Sequence, residues 1–175
     1  RDVTINDPAR IVSIGGAITE ILYALGFEDR LAGVDATSLY PAAARAKPNV
    51  GYMRQLSAEG VLGLNPSLVL AVQGSGPKEA MDLLEAAKVP LVLVPEIFSE
   101  QGLLDKIRMV GHAMDADKRA ECLTAVVTDD LAQLRFPRMP GSANHVSLEQ
   151  GQQNFAELGV SERRYRGEGR APFAE

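Results

Sequence analysis

The chain has 175 residues, of which 46% are hydrophobic, and this is typical of one folded domain with or without an appended segment. Its formal net charge of −5 disfavours a nucleic-acid partner, because phosphate binding requires a basic surface. No run approaches the roughly 18 apolar residues of a membrane-spanning helix. The single cysteine, Cys122, excludes an internal disulfide, and its helical context predicts a small buried side chain.

Short apolar runs alternate with helical patterns along the first two thirds of the chain. In chain order, the patterns predict a strand at 11–14, a helix at 17–25, a strand at 31–34, an extended piece at 50–53, a helix at 57–64, a strand at 67–72, a helix at 78–88, a strand at 90–94, and helices at 100–114 and 117–134. Buried strands followed by crossover helices form parallel sheets. The predicted fold class is therefore α/β, a parallel sheet with helices on both faces.

A ligand site is expected outside the carboxyl ends of the predicted strands, as in other parallel sheets. That rule selects four loops, at residues 15–17, 36–40, 73–77 and 96–98. Glu96 and Glu100 are carboxylates at helix starts, where the helix dipole explains them. His112 and His145 have no second histidine nearby. No nucleophile, base and orienting residue occur together, so we predict that the chain is not an enzyme.

The turn at Gly15-Gly16 has a superficial likeness to a dinucleotide-binding turn, with Asp35 about twenty residues further on. The motif fails because Ala17 and Glu20 stand where it requires glycine. Glu20 would also place negative charge near a bound pyrophosphate. The sequence therefore predicts a tight strand-to-helix turn that is open to some other ligand.

Two adjoining segments carry a family resemblance. Residues 33–41 read Gly-Val-Asp-Ala-Thr-Ser-Leu-Tyr-Pro, and residues 50–62 read Val-Gly-Tyr-Met-Arg-Gln-Leu-Ser-Ala-Glu-Gly-Val-Leu. They resemble the haem-binding proteins of bacterial haem-uptake ABC transporters. These belong to the helical-backbone class of periplasmic substrate-binding proteins, which also carries siderophores and vitamin B12. Residues 65–71 and 74–77 resemble the class too, and the similarity covers about residues 8–135.

The resemblance implies that Tyr40 is the axial ligand of haem iron, because the tyrosine before proline has that role in the haem branch. Phenolate is a hard anionic donor that suits ferric iron, and a neighbouring cation would favour its ionised form. Arg54 is the candidate for that cation or for a propionate partner; an ordinary solvated arginine is the equal alternative. Leu39 and Ile97 are predicted apolar walls. The other haem-binding residues predicted are Thr37, Ser38, Gly74, Gly76 and Phe98.

The predicted function is the binding of ferric haem and its delivery to the permease of an ABC importer. Siderophore or cobalamin binding on the same fold is one alternative. A non-functional truncated fragment, or an interaction module, is another. The sequence begins at Arg1 without the charged stretch and apolar run of a signal peptide, as both a mature exported chain and a cytosolic one would. The resemblance implies a mature chain in the periplasm.

The sequence changes character near residue 135. Residues 1–135 are predicted to form the ligand-binding lobe, including the long helix 117–134, which matches the helix that joins two lobes in the family. Residues 136–175 are rich in Gln, Gly, Arg and Glu, which predicts an atypical tail and not a second lobe. We expect a frameshifted or truncated gene, with a genuine short variant as the alternative. A single lobe predicts weak haem binding and self-association through its exposed cleft face.

Overall fold

The computed structural model describes residues 8–133, so the predicted tail at residues 136–175 lies outside the described residues. The strands are β1 (Ile11–Ile14), β2 (Leu31–Val34), β3 (Gly51–Tyr52), β4 (Gln55–Leu56), β5 (Leu68–Val72) and β6 (Leu91–Val94). The helices are α1 (Gly16–Ala24), α2 (Ala58–Leu62), α3 (Lys78–Ala86), α4 (Glu100–Ala113) and α5 (Asp117–Gln133). Two 3₁₀ turns occupy Glu28–Arg30 and Ala42–Ala46. No helix within residues 8–133 is both long and apolar enough to cross a membrane.

Four of the strands form one parallel sheet in the order β2-β1-β5-β6. In the middle of the sheet, Val12 of β1 lies opposite Gly33 of β2 and Val69 of β5, and Val69 lies opposite Leu91 of β6. The predicted α/β fold class is therefore confirmed. Because all four strands run the same way, the loops that follow them meet at one edge of the sheet.

Side chains alternate between the two faces of the sheet, and each face carries its own hydrophobic core. Ile11, Leu68 and Leu70 pack on one face with the apolar stripes of α1 and α4. Val69 and Ala71, from the alternate positions, pack on the other face with α2, α3 and the β3-β4 hairpin. The two central strands, β1 and β5, are thus buried on both faces, as their largely apolar runs predict, whereas Leu93 of the outer strand β6 is exposed.

Three local features differ from the sequence predictions. The extended piece predicted at residues 50–53 is the first strand of a β3-β4 hairpin, and two-residue strands are too short for periodicity to reveal. The helix predicted at residues 57–64 is only α2, because the Leu64 and Asn65 amides donate to carbonyls three residues earlier and Asn65 has a φ of +48°. The two 3₁₀ turns were not predicted.

The prediction that Cys122 is buried is wrong. The two buried side chains of α5 are Ala120 and Thr124, one turn apart, and Ala120 packs so closely on α4 that a methyl group at Gly111 would overlap it. Cys122 lies between them, about half a turn away, and is exposed. The helical pattern was correct, but the apolar residue type did not indicate which face it occupies.

Candidate functional site

Large apolar side chains are exposed on the segments at the carboxyl edge of the sheet. They belong to the loop after β2, the loop after β6 and the β3-β4 hairpin, and they are Leu39, Tyr40, Ile97, Phe98 and Tyr52. Phe98 is 92% exposed. Strands β2 and β6 are the outer strands, and three strand spacings separate them by about 14 Å. A group of exposed apolar side chains at one edge of a sheet marks a candidate binding surface.

Tyr40 combines an exposed side chain with a well-anchored backbone. The side chain is 68% exposed and makes no hydrogen bond to another residue in the range 8–133. Next to it, the Leu39 amide donates to the Thr37 carbonyl at 2.9 Å, and the Leu39 carbonyl accepts from Arg45 Nε at 3.1 Å. The phenol is therefore available to an incoming ligand while the backbone that carries it is held in place.

The β3-β4 hairpin connects the Tyr40 loop to the loop after β5. On one side, the Ala36 amide donates to the Gly51 carbonyl at 2.8 Å. On the other, the Gly76 amide donates to the Met53 carbonyl at 2.9 Å. Arg54 follows Met53 at the turn of the hairpin, is exposed, and has no hydrogen bond or ion pair with another described residue. Its guanidinium can therefore reach a ligand anion without breaking an existing contact.

The two glycines predicted to line the site differ in what the structure requires of them. Gly74 has a φ of +89°, which a side chain rarely adopts, and a Cβ atom built on it would meet no atom within 4 Å. A Cβ on Gly76 would lie 3.5 Å from the Lys78 amide nitrogen, an ordinary contact. Gly74 is thus needed for the turn, and it leaves open space beside the backbone at the sheet edge.

A partly buried ion pair holds the loop that carries Ile97 and Phe98. Lys106 of α4 is 6% exposed, and its ammonium lies 2.7 Å from Glu96 Oε1. A methyl group at Gly102 would overlap the Ile97 carbonyl oxygen, so the loop lies directly on α4. The interpretation of Glu96 as a simple helix-start carboxylate is therefore wrong, since sequence distance concealed its partner ten residues later.

A second polar cluster lies beneath the Tyr40 loop, with Asp35 at its centre. Asp35 is 1% exposed, and its carboxylate accepts from the Gly15 amide at 3.0 Å, the Thr37 amide at 3.1 Å and the Ser38 hydroxyl at 3.0 Å. Asp35 thus places its own negative charge at the start of α1. The position that a dinucleotide pyrophosphate would need is already filled, which agrees with the failed motif.

Thr37 and Ser38, both predicted to bind haem, have their hydroxyls engaged inside the protein. Thr37 Oγ1 donates to Asp35 and accepts from the Gly16 amide at 2.9 Å, and Ser38 is 3% exposed. These hydroxyls are not placed to contact a ligand, because Asp35 draws them towards the sheet. The sequence reasoning missed this role for Asp35; an aspartate followed by Thr and Ser after a strand is the signal of an Asx turn that could have revealed it.

Replacing Thr19 by valine should lower the free energy of unfolding by about 1–3 kcal/mol, because the change leaves the buried Ser13 hydroxyl without its partner. Thr19 Oγ1 lies 2.8 Å from Ser13 Oγ and 2.7 Å from Ser38 Oγ, and all three residues are buried. Valine has the same shape and no hydroxyl. Urea unfolding measures the loss, and Thr19→Ser, which keeps the hydroxyl, should lose clearly less. Equal losses would contradict the prediction.

The sequence was compared with models of known protein families. A model described as periplasmic binding protein matches residues 11–136, which is most of the chain. A second model, described as cysteine-rich CPCC, matches residues 112–175, a range that contains one cysteine, Cys122. The first match spans every strand and helix that the structure describes, and the second spans less than half of the chain.

Three individual proteins illustrate the similarity. YvrC of Bacillus subtilis, described as an uncharacterized ABC transporter substrate-binding lipoprotein, is 34% identical over 77% of this chain and 44% of its own length. The vitamin B12-binding protein of Yersinia pestis is 33% identical over 64% of this chain and 36% of its own. The apo structure of the periplasmic haem-binding protein RhuT of Roseiflexus sp. RS-1 superposes with a TM-score of 0.70 at 42% identity, over 72% of this chain and 48% of that chain. The chain spans less than half the length of each.

Proposed function

We propose that this chain, which belongs to the periplasmic binding protein family, binds ferric haem with Tyr40 as the iron ligand. The observation that carries the proposal is the position of Tyr40 itself. Its phenol is two-thirds exposed at the carboxyl edge of the sheet, on a loop whose backbone is held by hydrogen bonds on both sides. Tyrosine is an established haem ligand, and its phenolate oxygen suits ferric iron.

The surroundings of Tyr40 support a large, flat and negatively charged ligand. Phe98 and Ile97 offer apolar area for the macrocycle, and Gly74 leaves room beside the backbone. Arg54 supplies a cation that has no partner within residues 8–133, and it would stabilise either the phenolate or a propionate. The 42% sequence identity to a haem-binding protein supports the same ligand without reference to these contacts.

Cobalamin is the second candidate ligand, and one observation favours it. The vitamin B12-binding protein of Yersinia pestis is 33% identical to this chain over 112 residues. A corrinoid is also a broad, flat macrocycle, so the exposed apolar surface alone does not discriminate between the two ligands. The discriminating feature is the exposed phenol, which offers an oxygen donor to ferric iron.

The proposal includes a place in transport. We propose that the chain acts in the periplasm and passes its ligand to the permease of an ABC importer, without turnover. The name of the Bacillus subtilis relative, a substrate-binding lipoprotein of an ABC transporter, supports this role. The assignment of residues 1–135 to one ligand-binding lobe, with 136–175 as a tail, stays a prediction. One lobe covers only one side of a ligand, and weak binding is then expected.

A titration with ferric haem tests the proposal directly. Adding haem to the chain should shift the Soret band and produce the charge-transfer bands of a high-spin ferric tyrosinate complex, with saturation at a fixed stoichiometry. A parallel titration with cyanocobalamin should produce no saturable change. If cobalamin binds and haem does not, the ligand assignment is wrong and the cobalamin alternative replaces it.

A further inference from the structure

We infer that Asp35 is a positioning residue of the haem site, because its buried carboxylate holds the Tyr40 loop against the start of α1 from beneath. This inference rests on the proposed function. Asp35 touches neither the exposed surface nor a ligand, since it is 1% exposed. It acts instead through the loop that carries the phenol, five residues further along the chain.

The contacts of Asp35 join the β1-α1 turn to the loop that follows β2. On the scaffold side, Oδ1 accepts from the amide of Gly15, between β1 and α1. On the loop side, Oδ2 accepts from the Thr37 amide, and the two oxygens accept from the hydroxyls of Thr37 and Ser38 at 2.8–3.0 Å. The Asp35 carbonyl also accepts from the Ser38 amide at 3.1 Å. One side chain thus ties three loop donors to the sheet.

The charge of Asp35 also sets the direction of the hydrogen bonds along a buried row of hydroxyls, those of Ser38, Thr19 and Ser13. A carboxylate only accepts, so the Ser38 hydroxyl must donate to it. With its proton used, Ser38 can only accept from Thr19, and Thr19 in turn accepts from Ser13. All three hydroxyl protons therefore point towards Asp35. The row is fully paired in one arrangement only, which favours a single conformation of the loop.

This arrangement matters because no hydrogen bond holds the phenol itself. The Tyr40 side chain has no hydrogen bond within the described part of the chain, so the position of the phenol oxygen depends on the backbone of the loop that carries it. A metal ligand must be held within about 0.5 Å of its productive position by the groups around it. Asp35 is the group through which the interior of the protein imposes that position.

Asparagine at position 35 is the sharpest test, because it keeps the shape and replaces one of the two acceptor oxygens by an NH2 group. The carboxylate receives donors on both oxygens, whereas an amide presents an NH2 group to one set of them. The donor facing that NH2 group loses its partner, and the row of hydroxyls loses its direction. The Tyr40 loop should then sample several positions, with the phenol oxygen no longer fixed.

The experiment compares haem binding by the full chain, by Asp35→Asn and by Gly111→Ala. We expect Asp35→Asn to weaken ferric haem binding by about 10–100-fold, as the loss of outer-shell support typically does. The iron–phenolate stretching band in resonance Raman spectra should shift or broaden. Gly111→Ala, which overfills the distant α4-α5 contact, should lower stability while leaving the affinity and the iron–phenolate band as in the parent chain. This control separates the effect of a less stable protein from the effect of a displaced Tyr40 phenol oxygen.

Each outcome decides a different question. If the parent chain shows no tyrosinate signal, the proposed function fails. If the parent shows it and folded Asp35→Asn has the same affinity and the same band, the inference about Asp35 is overturned. If Asp35→Asn does not fold, Ser38→Ala decides instead, because it removes one donor and keeps the carboxylate. That variant should shift or broaden the iron–phenolate band relative to the parent chain, and an unchanged band would overturn the inference.

Discussion

Replacing Tyr40 by phenylalanine should abolish the tyrosinate spectrum of the haem complex and weaken haem binding by more than about 100-fold, since outer-shell losses alone reach 10–100-fold. The reason is the loss of the one oxygen that the site offers to iron, while the ring and its apolar area remain. The phenol contributes no hydrogen bond within residues 8–133, so the folded structure should tolerate the change. Absorption spectra and an affinity titration with ferric haem measure the two effects.

Tyr52→Phe is the matched control for this experiment. Tyr52 is also an exposed tyrosine, and it lies on the β3-β4 hairpin next to the Tyr40 loop. Its substitution should leave the charge-transfer bands in place, because the proposal gives Tyr52 no bond to iron. If Tyr52→Phe removes the bands and Tyr40→Phe keeps them, the iron ligand has been assigned to the wrong tyrosine.

Replacing Gly102 by alanine should lower the free energy of unfolding by about 1–3 kcal/mol, the usual cost of overpacking. A methyl group on Gly102 would overlap the Ile97 carbonyl oxygen and lie 2.7 Å from the Ile97 Cβ. Backbone atoms cannot move aside as the end of a flexible side chain can. The loop that carries Ile97 and Phe98 must therefore shift away from α4, so the wall of the site moves together with the loss of stability.

Replacing Gly60 by alanine should instead raise the free energy of unfolding. Gly60 lies within α2, and a Cβ there would meet the Ser57 side chain at 3.5 Å, an ordinary contact. Alanine then stabilises the helix by about 0.5–1 kcal/mol through its higher helix propensity. Urea unfolding of both variants provides the comparison. A Gly102→Ala variant as stable as Gly60→Ala would show that the loop does not rest on α4 as described.

The length of the chain relative to its relatives bears on how the site works. The chain spans 36–48% of the three proteins compared above. Phe98 is 92% exposed, so the structure described leaves the largest apolar wall of the site in water. A covering surface, whatever its source, should therefore raise haem affinity. The predicted self-association through this face is one such source, and the dependence of sedimentation on protein concentration measures it.

Much of the secondary structure followed from the sequence because its signals are local. The strand predicted at residues 11–14 is β1 with the same bounds, and the strand predicted at 67–72 is β5, Leu68–Val72. Unbroken apolar runs between glycine and proline signals carry that information without reference to the rest of the chain. The sequence did not predict the hairpin, because its strands have two residues each and are held by contacts with each other and with neighbouring loops.

The features of the site divide in the same way, into those that local signals predict and those that depend on tertiary contacts. The sequence by itself determined that Tyr40 stands on a loop at the carboxyl edge of a parallel sheet, because alternating strands and helices predict such a sheet and Tyr40 follows one of its predicted strands. Only the tertiary structure decided that Thr37 and Ser38 turn inward to Asp35, and that Glu96 pairs with Lys106. Those orientations depend on which donors and acceptors meet when distant segments fold together, and a buried charge must find partners there because water is excluded.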